Sequence, residues 1–114
     1  MYVRTNKGQI FDCIESEQMG KQIYYPKNSK TNGYIDYSEV YKKSNNIIDI
    51  CEVGDYVNGH LVFDKNPEAV YIEDNQNKLA HIPLTKEDIK SIVTREQFEY
   101  KAINQQIKEL KWFE

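Results

Sequence analysis

The sequence predicts an α+β fold that is mainly β: a small, strongly bent sheet or SH3-like barrel with a C-terminal helix. Three observations carry that expectation. Gly54-Asp55-Tyr56-Val57-Asn58-Gly59, followed by Leu61-Val62-Phe63, reads as strand, tight turn, strand, because Asn58-Gly59 supplies the positive-φ residues that a two-residue hairpin turn demands. Short runs rich in β-branched and aromatic residues recur through residues 1–93 with turn residues between them, as in a small barrel or bent sheet. Thr94-Arg95-Glu96-Gln97 then fits the capping box, in which Thr and Gln satisfy each other's free backbone N–H groups and a helix starts.

The chain has 114 residues, about the modal size of one domain, so 1–114 is read as a single unit, β-rich over 1–93 with a helical segment at 95–110. Charged residues make up 29% and aromatics 12%, which argues against the disordered and fibrous classes. No apolar run approaches the roughly 18 residues that span a bilayer, and Met1-Tyr2-Val3-Arg4-Thr5-Asn6-Lys7 lacks a signal-like apolar core, so the expectation is a cytoplasmic protein with no membrane role. Cys13 and Cys51 are far apart in such a chain and are expected to be reduced thiols. Lysine heavily outnumbers arginine, which occurs only as Arg4 and Arg95, while Asn, Ile and Tyr are abundant. That bias follows AT-rich coding and points to a low-GC bacterium or its mobile elements.

In chain order, Tyr2 to Thr5 and Gln9 to Glu15 are β-like runs joined by Asn6-Lys7-Gly8, a hairpin with Gly at the left-handed position. Lys21 to Tyr25 forms another run that Pro26 should end. Lys27-Asn28-Ser29-Lys30-Thr31-Asn32-Gly33 is a polar, turn-rich stretch, expected to be a mobile loop before Tyr34-Ile35-Asp36-Tyr37 resumes the extended pattern. Ile47, Ile48, Ile50 and Val53 follow Ser44-Asn45-Asn46, which either starts a helical turn or feeds a strand over Val53 to Val57. Asn66-Pro67 marks a turn; Ala69 to Glu73 and Leu79 to Pro83 read as strands around Asp74-Asn75-Gln76-Asn77, and Ile89, Ile92 and Val93 form the last apolar run. Past the capping box, Tyr100, Ile103, Ile107 and Leu110 fall on one helical face, expected to pack on the sheet with Trp112 and Phe113 beside it.

Charge deviates most from an even spread. Residues 1–48 carry a net +2 and 75–114 a net +1, whereas 49–74 hold Lys65 against Asp49, Glu52, Asp55, Asp64, Glu68, Glu73 and Asp74, a net −6. If those carboxylates share a face they repel nucleic acid and fit a cationic groove on a partner protein. The competing explanation is a set of solvated hairpin tips and strand faces, since alternation sends neighbours to opposite sides.

Other chemistry has less support. Lys21, Tyr24, Tyr25, Lys27 and Lys30 interleave aromatics with lysines as single-strand binders do, but form no basic stripe. Cys13, Cys51, His60 and His81 lack the short spacings of zinc sites, and a Cys-His nucleophile pair is equally unsupported by spacing. Carboxylate neighbours such as Glu15/Glu17 and Glu87/Asp88 are ordinary surface pairs, and the isolated glycines form no phosphate loop. The expectation is a non-enzyme without metal or cofactor.

Asp49 through Gly59, Ile89-Lys90-Ser91-Ile92-Val93-Thr94-Arg95-Glu96-Gln97-Phe98 and the opening Val3-Arg4-Thr5-Asn6-Lys7-Gly8 resemble segments of small uncharacterised proteins of prophages and mobile elements of low-GC Gram-positive bacteria. In such proteins a strand can follow Phe98, which competes with the long terminal helix. The resemblance carries no catalytic residues. It implies a phage-type accessory protein in the host cytosol that binds and inhibits a host defence protein, a nuclease or effector, as an anti-CRISPR or other anti-defence inhibitor does. Asp49, Glu52, Asp55, Asp64, Glu68, Glu73 and Asp74 would then supply the electrostatics, with exposed tyrosines among Tyr24, Tyr25, Tyr56 and Tyr71 as anchors. The rivals are a nucleic-acid-binding accessory domain using residues 21–30, a phage structural or assembly protein that homo-oligomerises, and a protein that sequesters a small ligand.

Overall fold

A computed structural model describes residues 1–27, 33–73 and 81–99. The fold is α+β and mainly β. Its strands are β1 (Tyr2–Thr5), β2 (Ile10–Gln18), β3 (Lys21–Pro26), β4 (Ile35–Asp36), β5 (Val40–Ser44), β6 (Tyr56–Val57), β7 (His60–Lys65), β8 (Val70–Glu73), β9 (His81–Leu84) and β10 (Ile92–Val93). A 3-10 turn (Tyr37–Glu39) precedes β5, a one-turn helix α1 (Ile47–Ile50) follows it, and residues 95–99 are helical. The strands form two antiparallel five-stranded sheets, ordered β4-β3-β2-β1-β5 and β10-β6-β7-β8-β9.

Local chemistry explains most of these elements. At the β6–β7 turn Asn58 and Gly59 have φ of 53° and 83°, and Val57 pairs with His60, as an Asn-Gly hairpin requires. The Asn46 side chain accepts from the Ile48 N–H and caps α1, so Ile47, Ile48 and Ile50 form a helical turn instead of feeding a strand. Residues 53–55 accordingly lie in the turn before β6, and the strand expected over Val53 to Val57 shortens to Tyr56–Val57. Pro26 is the last residue of β3, one position later than the expected end. The Thr94 N–H donates to Gln97 Oε1 at 3.1 Å and the Gln97 N–H to Thr94 Oγ1 at 3.3 Å, the reciprocal capping box that starts the helix.

β5 has no counterpart in the sequence-based expectation: Val40-Tyr41-Lys42-Lys43-Ser44 carries no turn punctuation and little apolar content, and its pairing with β1 is long-range. Segment 28–32, Asp74 to Asn77, and the proposed helix beyond residue 99 lie outside the described residues.

Each sheet has its own apolar cluster. Val3, Cys13, Tyr24 and Ile35 pack on one face of the first sheet with Met1, Phe11 and Val40 against them. Ile48, Cys51, Val57, Val62, Val70 and Ile72 form the second, joined by Leu84, Ile89 and Ile92. Because α1 and the residue after it contribute Ile48 and Cys51 to the second cluster while α1 also contacts β1 and β5, this one turn carries the chain from one sheet to the other. The cysteines are buried and free, one in each cluster. Burial pushes the Cys51 thiol up to about 11 and raises that of Cys13, so both are held neutral.

Candidate functional site

The carboxylates of residues 49–74 separate into two environments. The first is a buried ion cluster centred on Arg4, fully buried on β1. Its Nη1 donates to Asp55 Oδ2 at 2.5 Å and to the Ile50 carbonyl at 3.1 Å; its Nη2 donates to Asp55 Oδ1 at 3.0 Å and Glu96 Oε2 at 2.8 Å. Asp55 accepts in addition from the backbone N–H of Glu52 at 2.7 Å and of Arg95 at 3.0 Å. Two oxygens therefore take four hydrogen bonds, the full capacity of a carboxylate. Glu52 Oε2 stands 3.6 Å from Arg4 Nη2, and the Tyr41 hydroxyl donates to Glu52 Oε1 at 2.9 Å.

Burial alone disfavours a charged guanidinium, but the hydrogen bonds and charge of Asp55, with Glu96 and Glu52, outweigh it and raise the Arg4 pKa. Burial also works against ionised Glu96, which backbone donors, Arg4 and Arg95 nevertheless hold below the usual carboxylate range. The cluster is joined by Thr94, buried, whose hydroxyl donates to the Gly8 carbonyl at 2.7 Å. Gly8 has φ +82°, and a Cβ there would stand 2.8 Å from Glu96 Cβ, so only glycine allows the β1–β2 turn to approach the helix start this closely. One guanidinium thus ties β1, the turn after α1 and the N-terminus of the helix together through its Nη1 and Nη2 donors, while its Nε and Glu52 Oε2 are buried without a hydrogen-bond partner among the described residues.

This geometry corrects two of the expected surface positions. Asp55 is fully buried and paired, so it contributes nothing to a surface field; its place beside a buried arginine decides that. Tyr24 is fully buried in the first cluster with Lys43 over its ring, because alternation along β3 turns it inward, and it cannot anchor a partner. Glu52 is half-buried and turned towards Arg4 and Tyr41. Asp49 is exposed but accepts from the Ser44 hydroxyl beside α1. Asp74 lies outside the described residues.

The second environment is the outer face of the β7–β8 hairpin. The register runs Val62 to Ile72, then Asp64 to Tyr71, so Phe63 and Asp64 together oppose Tyr71 in a β-bulge. Val62, Val70 and Ile72 face the core, which leaves Tyr71 and Glu73 on the outside with Phe63 and Asp64. Glu73 pairs with His81, whose ring lies 4.2 Å from that of Phe63. Leu61, 49% exposed, continues the face towards Tyr56, whose ring stacks on Phe98 at 4.8 Å. Glu68 is exposed in the β7–β8 turn, where Asn66 caps the backbone N–H groups of Glu68 and Ala69 and donates to the Tyr71 hydroxyl at 2.8 Å.

The only base of the acidic segment is withdrawn from this face. Lys65 Nζ donates to the carbonyls of Cys51 at 2.6 Å and of Ile48 and Asp49 at 3.4 Å, capping the C-terminal end of α1. Asp64, Glu68 and Glu73 are therefore left without a neutralising partner among the described residues, beside Phe63, Tyr71 and Leu61. Sequence reasoning found the carboxylates and Tyr71 but missed Leu61, Phe63 and His81. Alternation about the buried Val62 turns Leu61 and Phe63 outward, and the bulge then puts Asp64 outside as well and sets Lys65 opposite the inward Val70.

The remaining expected sites are dispersed. Lys27 pairs with Asp12 at 3.3 Å, Lys21 lies at the other end of β3, Lys30 is outside the described residues, and Tyr25 faces Tyr34 at 6.2 Å. Among the described residues no three His, Cys, Asp or Glu side chains converge on a metal position, and no helix is long and apolar enough to cross a membrane. A cleft of about 400 Å³ between the β1–β2 turn and residues 33–39 is lined by Phe11, Pro26 and Tyr34, with Lys7 and Glu39 at its polar side. Compared with known protein families, curated proteins and solved structures, the chain matches none.

Proposed function

We propose that the protein is a non-enzymatic binding module of the phage accessory type, which inhibits a host defence protein by placing the outer face of its second sheet in a basic nucleic-acid groove. The observation that carries this reading is the withdrawal of Lys65 from the β7–β8 hairpin, which leaves Asp64, Glu68 and Glu73 without a salt-bridge partner among the described residues, around Tyr71 and Phe63. Carboxylates flanking half-buried aromatics combine a field that attracts a cationic groove with side chains already ordered at the contact face. Of the seven carboxylates of residues 49–74, these three form the working electrostatic set, with Asp49 beside α1 as a separate exposed acid and Asp74 outside the described residues.

The test is an affinity pull-down of the tagged protein from a low-GC Gram-positive lysate, with and without nuclease, followed by the variant Asp64→Lys/Glu68→Lys/Glu73→Lys. The reading expects a nucleic-acid-handling defence protein that survives nuclease treatment and is released by the triple variant. Recovery of nucleic acid, or retention of the partner by the correctly folded variant, overturns it.

A further inference from the structure

We propose that the distal half of β2, residues 14–18, is an open strand edge that accepts an extended peptide in which basic and apolar residues alternate. β1 covers β2 only from Ile10 to Asp12 in register; beyond it the Cys13 N–H donates to the Met1 carbonyl at 2.6 Å and the Met1 ammonium to the Cys13 carbonyl at 3.2 Å. β2 then runs on, paired through its other side with β3 from Cys13 to Gln18. Backbone groups alternate between the two sides of a strand, so those of Glu15 and Glu17 point the same way as those of Cys13. Among the described residues no strand meets them.

The side chains along this edge specify what pairs with it. Glu15 and Glu17 share one face; Lys43 lies 3.3 Å from Glu15, while Glu17 is exposed and has no salt-bridge partner among the described residues. Ile14 is 58% exposed on the opposite face, and Met19, at φ 53° in the turn that ends the ribbon, is fully exposed. An added strand gains backbone hydrogen bonds from the edge and selectivity from alternate side chains, with cations meeting the glutamates and apolar groups meeting Ile14. A second copy of this chain is a poor occupant, because antiparallel pairing along this edge sets Glu15 or Glu17 opposite a glutamate of its mate. The inference stands apart from the acidic face of the second sheet and does not depend on it.

The test uses a fluorescent peptide of alternating Lys and Val, seven residues long, against the full chain, read by anisotropy and by amide hydrogen exchange. The expected result is saturable binding with slowed exchange at the amides of Glu15 and Glu17. Glu17→Lys should weaken it at least tenfold, Ile14→Lys should weaken it too, and N-methylating the peptide's edge-facing amides should remove it. Three results overturn the proposal: no binding at millimolar peptide, equal binding of an alternating Glu and Val peptide, or binding without protection of those two amides. Protection that grows with protein concentration in the absence of peptide would assign the edge to a second copy and overturn it as well.

Discussion

Asp55 and Asp64 belong to the same acidic segment, nine positions apart in the sequence, yet the fold uses them in opposite ways. Asp55 is removed from water and fully hydrogen-bonded by Arg4 and two backbone N–H groups, while Asp64 stands exposed on a bulged strand and accepts from the N–H of the next residue. The difference teaches that acidic composition and acidic surface are separate quantities. One buried arginine converts part of an apparent patch into architecture, and an inward-turned lysine leaves Asp64, Glu68 and Glu73 without a salt-bridge partner among the described residues.

Breaking the buried side should have the largest effect. Asp55→Ala leaves the Arg4 guanidinium buried without its main partner, and we expect a loss of about 3–5 kcal/mol in chemical denaturation. Asp64→Ala should fall within about 0.5 kcal/mol of the parent, as for surface positions generally. Equal losses in the two variants would erase the distinction. Gly8→Ala comes next: positive φ and the contact with Glu96 should cost about 2 kcal/mol or more, read in the same way. Thr94→Ala, which removes both the helix cap and the bond to the Gly8 carbonyl, should cost about 1–2 kcal/mol.

pH sharpens the same contrast. The Glu96 carboxyl is held below its ordinary value of 4.5, so its stabilising contribution is complete above that value and is lost as pH falls through the lower folded value. A plot of Tm against pH should therefore drop more steeply below 4.5 for the parent than for Glu96→Gln. At the alkaline end Cys51 is raised from 9.0 to about 11, so its buried thiol stabilises fully below 9.0 and ceases to as pH rises through 11. Cys51→Ala should flatten that alkaline decline. The smallest effect on stability is expected from Asp64→Lys/Glu68→Lys/Glu73→Lys, whose thermal midpoint should stay near the parent's while partner capture is lost.

What the sequence by itself determined was local. Asn58-Gly59 encodes its turn, Thr94 to Gln97 its cap, and alternating β-branched residues their strands, because each is decided by backbone preferences and neighbours a few residues away. It also held one signal of the buried cluster: of fifteen basic residues only two are arginine, and one of them, Arg4, sits at its centre, where a planar fork binds Asp55 through two hydrogen bonds. The tertiary structure alone decided the division into two sheets, the addition of polar β5 to β1, the burial of Tyr24 and Asp55, and the bulge that sets Asp64 outward and Lys65 inward. The physical reason is separation along the chain. Arg4 and Asp55 are 51 residues apart and Thr94 and Gly8 are 86, and side-chain pairings at such distances are set by packing and register, for which one-dimensional periodicity carries no term.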